Sequence, residues 1–211
     1  MKGKAASLTL GAGLTLLFAG TAIADREGPN RNALLKGTYR FSMNFSCVQS
    51  DQGYSPAPDF FALGFGERGH DFVTGVITYD GNGRATETAR GIFVFPGPFF
   101  PPNPEFGFPG SLTIATYTNN CSYDYLVNHD LSFVQEGSCE GEVLAGAGHG
   151  QKTTASGLRF VGQIGVGGQV LITNQIDAAE ITLDVGDPAP GGFHTKRFCG
   201  AAGTAVRIHR P

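Results

Sequence analysis

The 211-residue sequence carries 15 Lys and Arg against 18 Asp and Glu, a formal charge of −3, and only 16% of its residues are charged. That balance excludes the basic footprint of a nucleic-acid-binding domain, so no nucleic-acid partner is expected. The 32 Gly, about twice the average rate, stand beside 17 Phe and no Trp; Gly weakens helix interiors and serves turns and bulges, so the composition favours many short strands over helices.

The chain opens with Lys2 and Lys4, then an apolar run from Leu8 to Ala19, then Ala22-Ile23-Ala24 just ahead of Asp25-Arg26-Glu27. A positive start, a short apolar segment and a small-residue cleavage site make residues 1–24 a secretory signal peptide, too short in its apolar part to span a bilayer. The expected mature chain starts near Asp25 and is exported, periplasmic or secreted. Losing Lys2 and Lys4 takes its formal charge from −3 to −5. Residues 25–33, polar and broken by Gly28-Pro29, read as a flexible leader. Residues 34–211 read as a single β-barrel domain, a length that suits one sizeable core.

Strict alternation begins at Tyr39. Tyr39, Phe41, Met43 and Phe45 share one face, with Arg40, Ser42 and Asn44 on the other, the period of a half-buried strand. Residues 50–71 form a loop rich in Gly, Pro and rings, among them Tyr54, Phe60, Phe61 and Phe65. A strand over 72–79 and one over 84–95 flank Asp80-Gly81-Asn82-Gly83, the strongest hairpin signal in the chain. Residues 96–110 hold too many prolines for a central strand and too many rings, Phe99, Phe100, Phe106 and Phe108 included, for a solvated loop. They either pack down as a lid or offer aromatic surface to a partner.

Strands then follow over 111–118, 121–128, 131–136 and 139–145. After Gly146–Gly150 come 157–164, 169–174, 178–184 and, beyond a Pro-Gly loop at 187–192, the final strand 198–208. About ten strand segments at short spacing argue an antiparallel meander closing as a barrel of about eight to ten strands, with a β-sandwich as the alternative.

All four cysteines, Cys47, Cys121, Cys139 and Cys199, lie beyond the signal peptide. An even number in an exported chain reads as two disulfides, and no pair has the Cys-x2-Cys spacing of a zinc site. Of the three pairings, Cys121–Cys139 can meet across a hairpin. That leaves Cys47 with Cys199, which would lock the seam of a closed barrel where first and last strands become neighbours.

Leu35-Lys36-Gly37-Thr38-Tyr39 and Gly75-Val76-Ile77-Thr78-Tyr79-Asp80-Gly81-Asn82-Gly83, with the C-terminal run Arg197 to Arg207, resemble small secreted bacterial proteins with a lipocalin-like (calycin-like) barrel. Gly37-x-Tyr39 stands where lipocalins open their first strand with Gly-x-Trp. The resemblance implies that Arg207 in the last strand packs on that ring. It implies a fold and a compartment, and no catalytic residues.

No reaction chemistry is legible. His70, His129, His149, His194 and His209 show no metal-ligand spacing, no Gly-x-Ser-x-Gly elbow is present, and Glu136, Glu140 and Glu142 read as a solvated outer face. No catalytic residue, metal or cofactor is expected. The leading reading is a secreted, non-catalytic protein holding a small apolar ligand in its barrel, with Tyr39, Phe41, Met43 and Phe45 on the wall and Phe99 and Phe100 at the mouth. The second is a structural or interaction protein that meets a surface or protein partner through residues 96–110. A barrel enzyme comes third, and would need an inward His beside an inward carboxylate. No pattern in the sequence sets an oligomeric state.

Overall fold

A computed structural model describes residues 30–56, 61, 63, 66–96, 112–146, 148–175, 180–186 and 193–209. Residues 1–24, expected to be a signal peptide, residues 25–29 of the expected leader, Phe99, Phe100 and residues 97–110 of the Pro-aromatic segment lie outside them, as do Phe60 and Phe65. Nine strands follow a short 3-10 helix over Arg31–Leu35: β1 Gly37–Ser50, β2 Gly66–Tyr79, β3 Arg84–Pro96, β4 Leu112–Val127, β5 Ser132–Gly146, β6 Lys152–Ile164, β7 Val170–Gln175, β8 Glu180–Val185 and β9 Phe193–His209.

These strands are fewer and longer than the sequence suggests. The expected segments 111–118 and 121–128 are one strand, and so are 131–136 and 139–145. Asn119-Asn120 and Gly137-Ser138 look like turn residues, yet they sit in the ladder: Asn119 opposite Gly141, Gly137 opposite Tyr123. Pairing on both sides supplies hydrogen bonds that a turn would otherwise take from its own side chains.

Every pairing is antiparallel, and β1 pairs with both β2 and β9, so the sheet closes. β7 and β8 share one place in it. β7 pairs with β6 at Val161–Ile164 and with β9 at Ala201–Val206, whereas β8 pairs with β6 at Thr153–Ser156 and with β9 at Phe193–Phe198. Nine strands thus make an eight-position barrel. Closure leaves no free edge, which rules out the β-sandwich alternative.

Both disulfides join residues directly opposite in the ladder. Cys47–Cys199 ties β1 to β9 across the seam and Cys121–Cys139 ties β4 to β5, each with Cα atoms 4.0 Å apart.

The richness in Gly has a second cause besides turns. Inside the barrel, large side chains lie across glycines of the neighbouring strand: Phe41 opposite Gly75, Tyr117 opposite Gly91, Tyr123 opposite Gly137 and Phe133 opposite Gly162. A Cβ on Gly75 would stand 2.9 Å from the Phe41 ring, and one on Gly91 would collide with the Tyr117 ring. Small residues beside rings let an inward-curving wall hold aromatic side chains without crowding.

One end of the barrel is closed. There the hairpin at 80–83, the turns at 128–131 and 165–169, and the 3-10 helix converge. Asp80 Oδ1 accepts from the backbone N–H of Asn82 and Arg84 at 2.6 and 3.0 Å, which fixes the hairpin. Leu35 plugs the end and is fully buried. Asn32 Oδ1 accepts from Val127 N–H at 2.9 Å, tying the helix to β4. Above this plug, Tyr39, Tyr79 and Tyr125 stack edge to face, with ring centroids 5.6 and 4.9 Å apart, the arrangement ring quadrupoles favour.

Candidate functional site

Strand alternation sends odd-numbered residues of β1 inward along its whole length, but depth decides what each one does. Tyr39 lies in the floor: its hydroxyl donates to the Gly168 carbonyl at 2.8 Å, and Arg207 covers its ring. Tyr39 therefore does not line a cavity, contrary to its expected place on the ligand wall. Phe41, Met43 and Phe45, further along the same face, do line one. Phe99 and Phe100, expected at the mouth, fall outside the described residues. Of the rings in the first long loop, Phe61 is exposed and Tyr54 packs on Phe198, 4.5 Å between centroids.

The cavity occupies the half of the barrel away from the floor and has a volume of about 140 Å3. Its wall is mostly rings and aliphatic groups. Phe160 stands between Phe45 and Tyr123, with centroid distances of 6.0 and 6.1 Å. Cys139 and Cys199, one residue of each disulfide, also line it.

Among the described residues, three charged side chains also reach it: Asp71 from β2, Glu87 from β3 and Arg197 from β9. Arg197 Nη1 lies 3.5 Å from Asp71 Oδ2, both residues are buried, and the guanidinium sits over the Phe93 ring at 4.3 Å. Tyr117 donates its hydroxyl to Asp71 Oδ1 at 3.0 Å. Burial pushes the Asp71 carboxyl up to about 6, although Arg197, the Tyr117 hydroxyl and His70 all pull it down. Burial likewise holds Arg197 below its ordinary value, with Asp71 opposing. Arg197 Nε has no partner, and neither does the side-chain amide of Gln49, the residue opposite Arg197 across the seam. Buried polar atoms without partners are costly, so the Arg197 side of the cavity is suited to a water or a ligand polar group.

Glu87 is different. Burial drives its carboxyl to about 7, and a hydrogen bond from Tyr123 only partly offsets that. Its Oε1 lies 3.5 Å from Cys121 Sγ, and a disulfide sulfur has no proton to give. Deeper still, Tyr79 donates to Gln135 Oε1 at 2.7 Å, closing the floor with a satisfied polar pair.

These charged residues escape a reading by residue type, because Thr-Glu-Thr and His-Asp-Phe look solvent-facing. Parity would have found them. Glu87 shares parity with Phe93 and Phe95, Asp71 with Val73 and Ile77, and Arg197 with Cys199, and each of those partners faces inward.

The other ionisable candidates stay outside. All five histidines are exposed, so none is itself inward; His70, next to inward Asp71, sits on the opposite face of β2. Glu136 pairs with Arg159 at 2.8 Å and Glu142 with Lys152, both on the outer wall.

No protein-family model matches the chain, and no curated protein matches it.

Proposed function

We propose that this is an exported, lipocalin-like binding protein that holds one small, largely apolar ligand in the upper half of its barrel. The observation that supports this most is where packing stops. Leu35 and Tyr39 are fully buried in the floor, while the ring-lined volume above it stays open at about 140 Å3. A cavity of roughly 150 Å3 accepts a benzene-sized guest, whereas drug-sized ligands need roughly 300 Å3 or more. The ligand is accordingly a single ring or a short chain. Phe41, Met43, Phe45 and Phe160 supply apolar contact, Phe45 and Phe160 as touching rings. Arg207 over Tyr39 supports the lipocalin-like reading, since last-strand Arg on first-strand ring is what the Gly-x-Tyr opening implies. Two disulfides fit an oxidising, exported setting.

Native mass spectrometry of the protein recovered from the periplasm or medium tests this reading. A retained small molecule, or saturable uptake of 2-phenylethanol by stripped protein, is the expected result. A protein that carries nothing and takes up no ring-sized probe overturns it.

A second reading is a contact protein working through residues 96–110. It is supported by the apolar pair Phe72 and Ile92, directly opposed on the outer wall and about half exposed, the second of them on β3, which runs in sequence into that segment.

A further inference from the structure

Among the described residues, the cavity wall carries one carboxyl with no cationic partner. Glu87 projects inward between Ala85 and Ala89, small residues that leave it room, and its cross-strand partners are Ile77 and Cys121. Ionisable groups around it are Asp71 and Tyr79 from β2 and Tyr117 and Tyr123 from β4, with Arg197 on β9. None is a free cation: Arg197 is engaged with Asp71, and no described Lys, Arg or His pairs with Glu87. Asp71 and Arg197 cancel, so an ionised Glu87 leaves the cavity with an uncompensated negative charge.

That arrangement selects among ligands. A carboxylate guest would add like charge to a low-dielectric space. A neutral guest leaves the Glu87 charge unpaired, as it is in the empty cavity. An ammonium supplies the missing counter-charge in a cavity also lined by the rings of Tyr123, Tyr117 and Phe41, and aromatic rings attract cations. The row Tyr123–Phe160–Phe45 then offers a continuous aromatic surface for an apolar body.

We propose that the ligand is a small primary amine with an apolar ring or short chain, its ammonium paired with Glu87 and its body along Phe160 and Phe45. This rests on the cavity's being a binding site. Burial of Glu87 adds a dependence on pH: the carboxyl takes a proton below about 7, and amine affinity falls there. Asp71 is the other carboxyl that titrates in the cavity, and it does so lower, near 6.

The test is calorimetric titration of the disulfide-intact protein at pH 8 with 2-phenylethylamine, 2-phenylethanol and phenylacetate, repeated on Glu87→Gln. Wild type should bind the amine at least ~10-fold more tightly than the alcohol and phenylacetate weakest. Glu87→Gln should abolish the amine's advantage while keeping the alcohol's affinity within about twofold, which also shows that the variant is folded. Lowering the pH from 8 to 6 should weaken the amine about tenfold and leave the alcohol unchanged. Alcohol binding without an amine preference, or a preference that survives Glu87→Gln, overturns the amine assignment alone. Failure of all three probes overturns the cavity reading and the assignment together.

Discussion

Arg207, near the end of the last strand, lies across the ring of Tyr39, near the start of the first, 5.0 Å from its centroid. Its Nε donates to the Tyr39 hydroxyl at 2.9 Å and its Nη2 to the Leu34 carbonyl at 2.7 Å. One guanidinium thus holds together the seam of the barrel, the floor ring and the plugging 3-10 helix.

Arg207→Ala should therefore destabilise the protein by about 2 kcal/mol, the cost of losing two charge-assisted bonds and the ring contact. Arg207→Lys should recover less than half, because an ammonium cannot reproduce the flat, forked donor set. Urea unfolding with an unchanged slope checks both; equal stability of the three proteins would show that the contact is idle.

The two disulfides should differ in worth. Cys47–Cys199 spans 152 residues and Cys121–Cys139 spans 18. Loop-closure entropy gives about 5 and about 3 kcal/mol respectively. Paired Cys→Ser replacement at the seam should lower the melting temperature more than replacement in the β4–β5 hairpin.

Gly91→Ala should cost about 2 kcal/mol, since its Cβ would collide with the Tyr117 ring and force the ring aside. Tyr117→Ala made in that background should cost clearly less than in wild type. A double-mutant cycle with no coupling would remove the glycine-beneath-ring explanation for the composition.

Glu87 makes stability fall as pH rises. Its folded value of about 7 lies above the ordinary 4.5, so between those values the folded state holds a proton that the unfolded chain has released. The stabilisation is complete below about pH 4.5, is lost as pH rises to about 7, and amounts to roughly 3 kcal/mol. Asp71 is shifted in the same sense, whereas exposed Asp80 and Asp130 are lowered and act oppositely at acid pH. The difference between wild type and Glu87→Gln isolates the Glu87 contribution: the variant should gain on wild type steadily from pH 5 to 7. Parallel stability curves would show that Glu87 is solvated.

Filling the cavity should separate space from fold. Ala155 is partly buried and lines the cavity. Ala155→Leu should raise stability by about 1 kcal/mol through added apolar contact and abolish uptake of 2-phenylethanol. Destabilisation instead would mean that the space is not there to fill.

The candidate site was partly legible. Phe41, Met43 and Phe45 follow from alternation, because a strand with one wet face must bury the other. Tyr39 follows the same rule and still misses the cavity, since period gives facing but not depth. Asp71, Glu87 and Arg197 were missed for the converse reason: residue type suggests solvent, and only parity shared with inward neighbours reveals their direction. The split of one barrel position between β7 and β8 left no local mark, as each half has the period and length of an ordinary short strand.

By itself the sequence determined the antiparallel class, the main hairpin and the cysteine partners, because turn chemistry and alternation act over a few residues and closure makes neighbours of the first and last strands. The tertiary structure alone decided which inward side chains pack the floor and which face open space, because that depends on register summed around eight positions. It alone decided, too, that one inward carboxyl would have no cationic partner among the described residues, since no local pattern says what stands on the opposite wall.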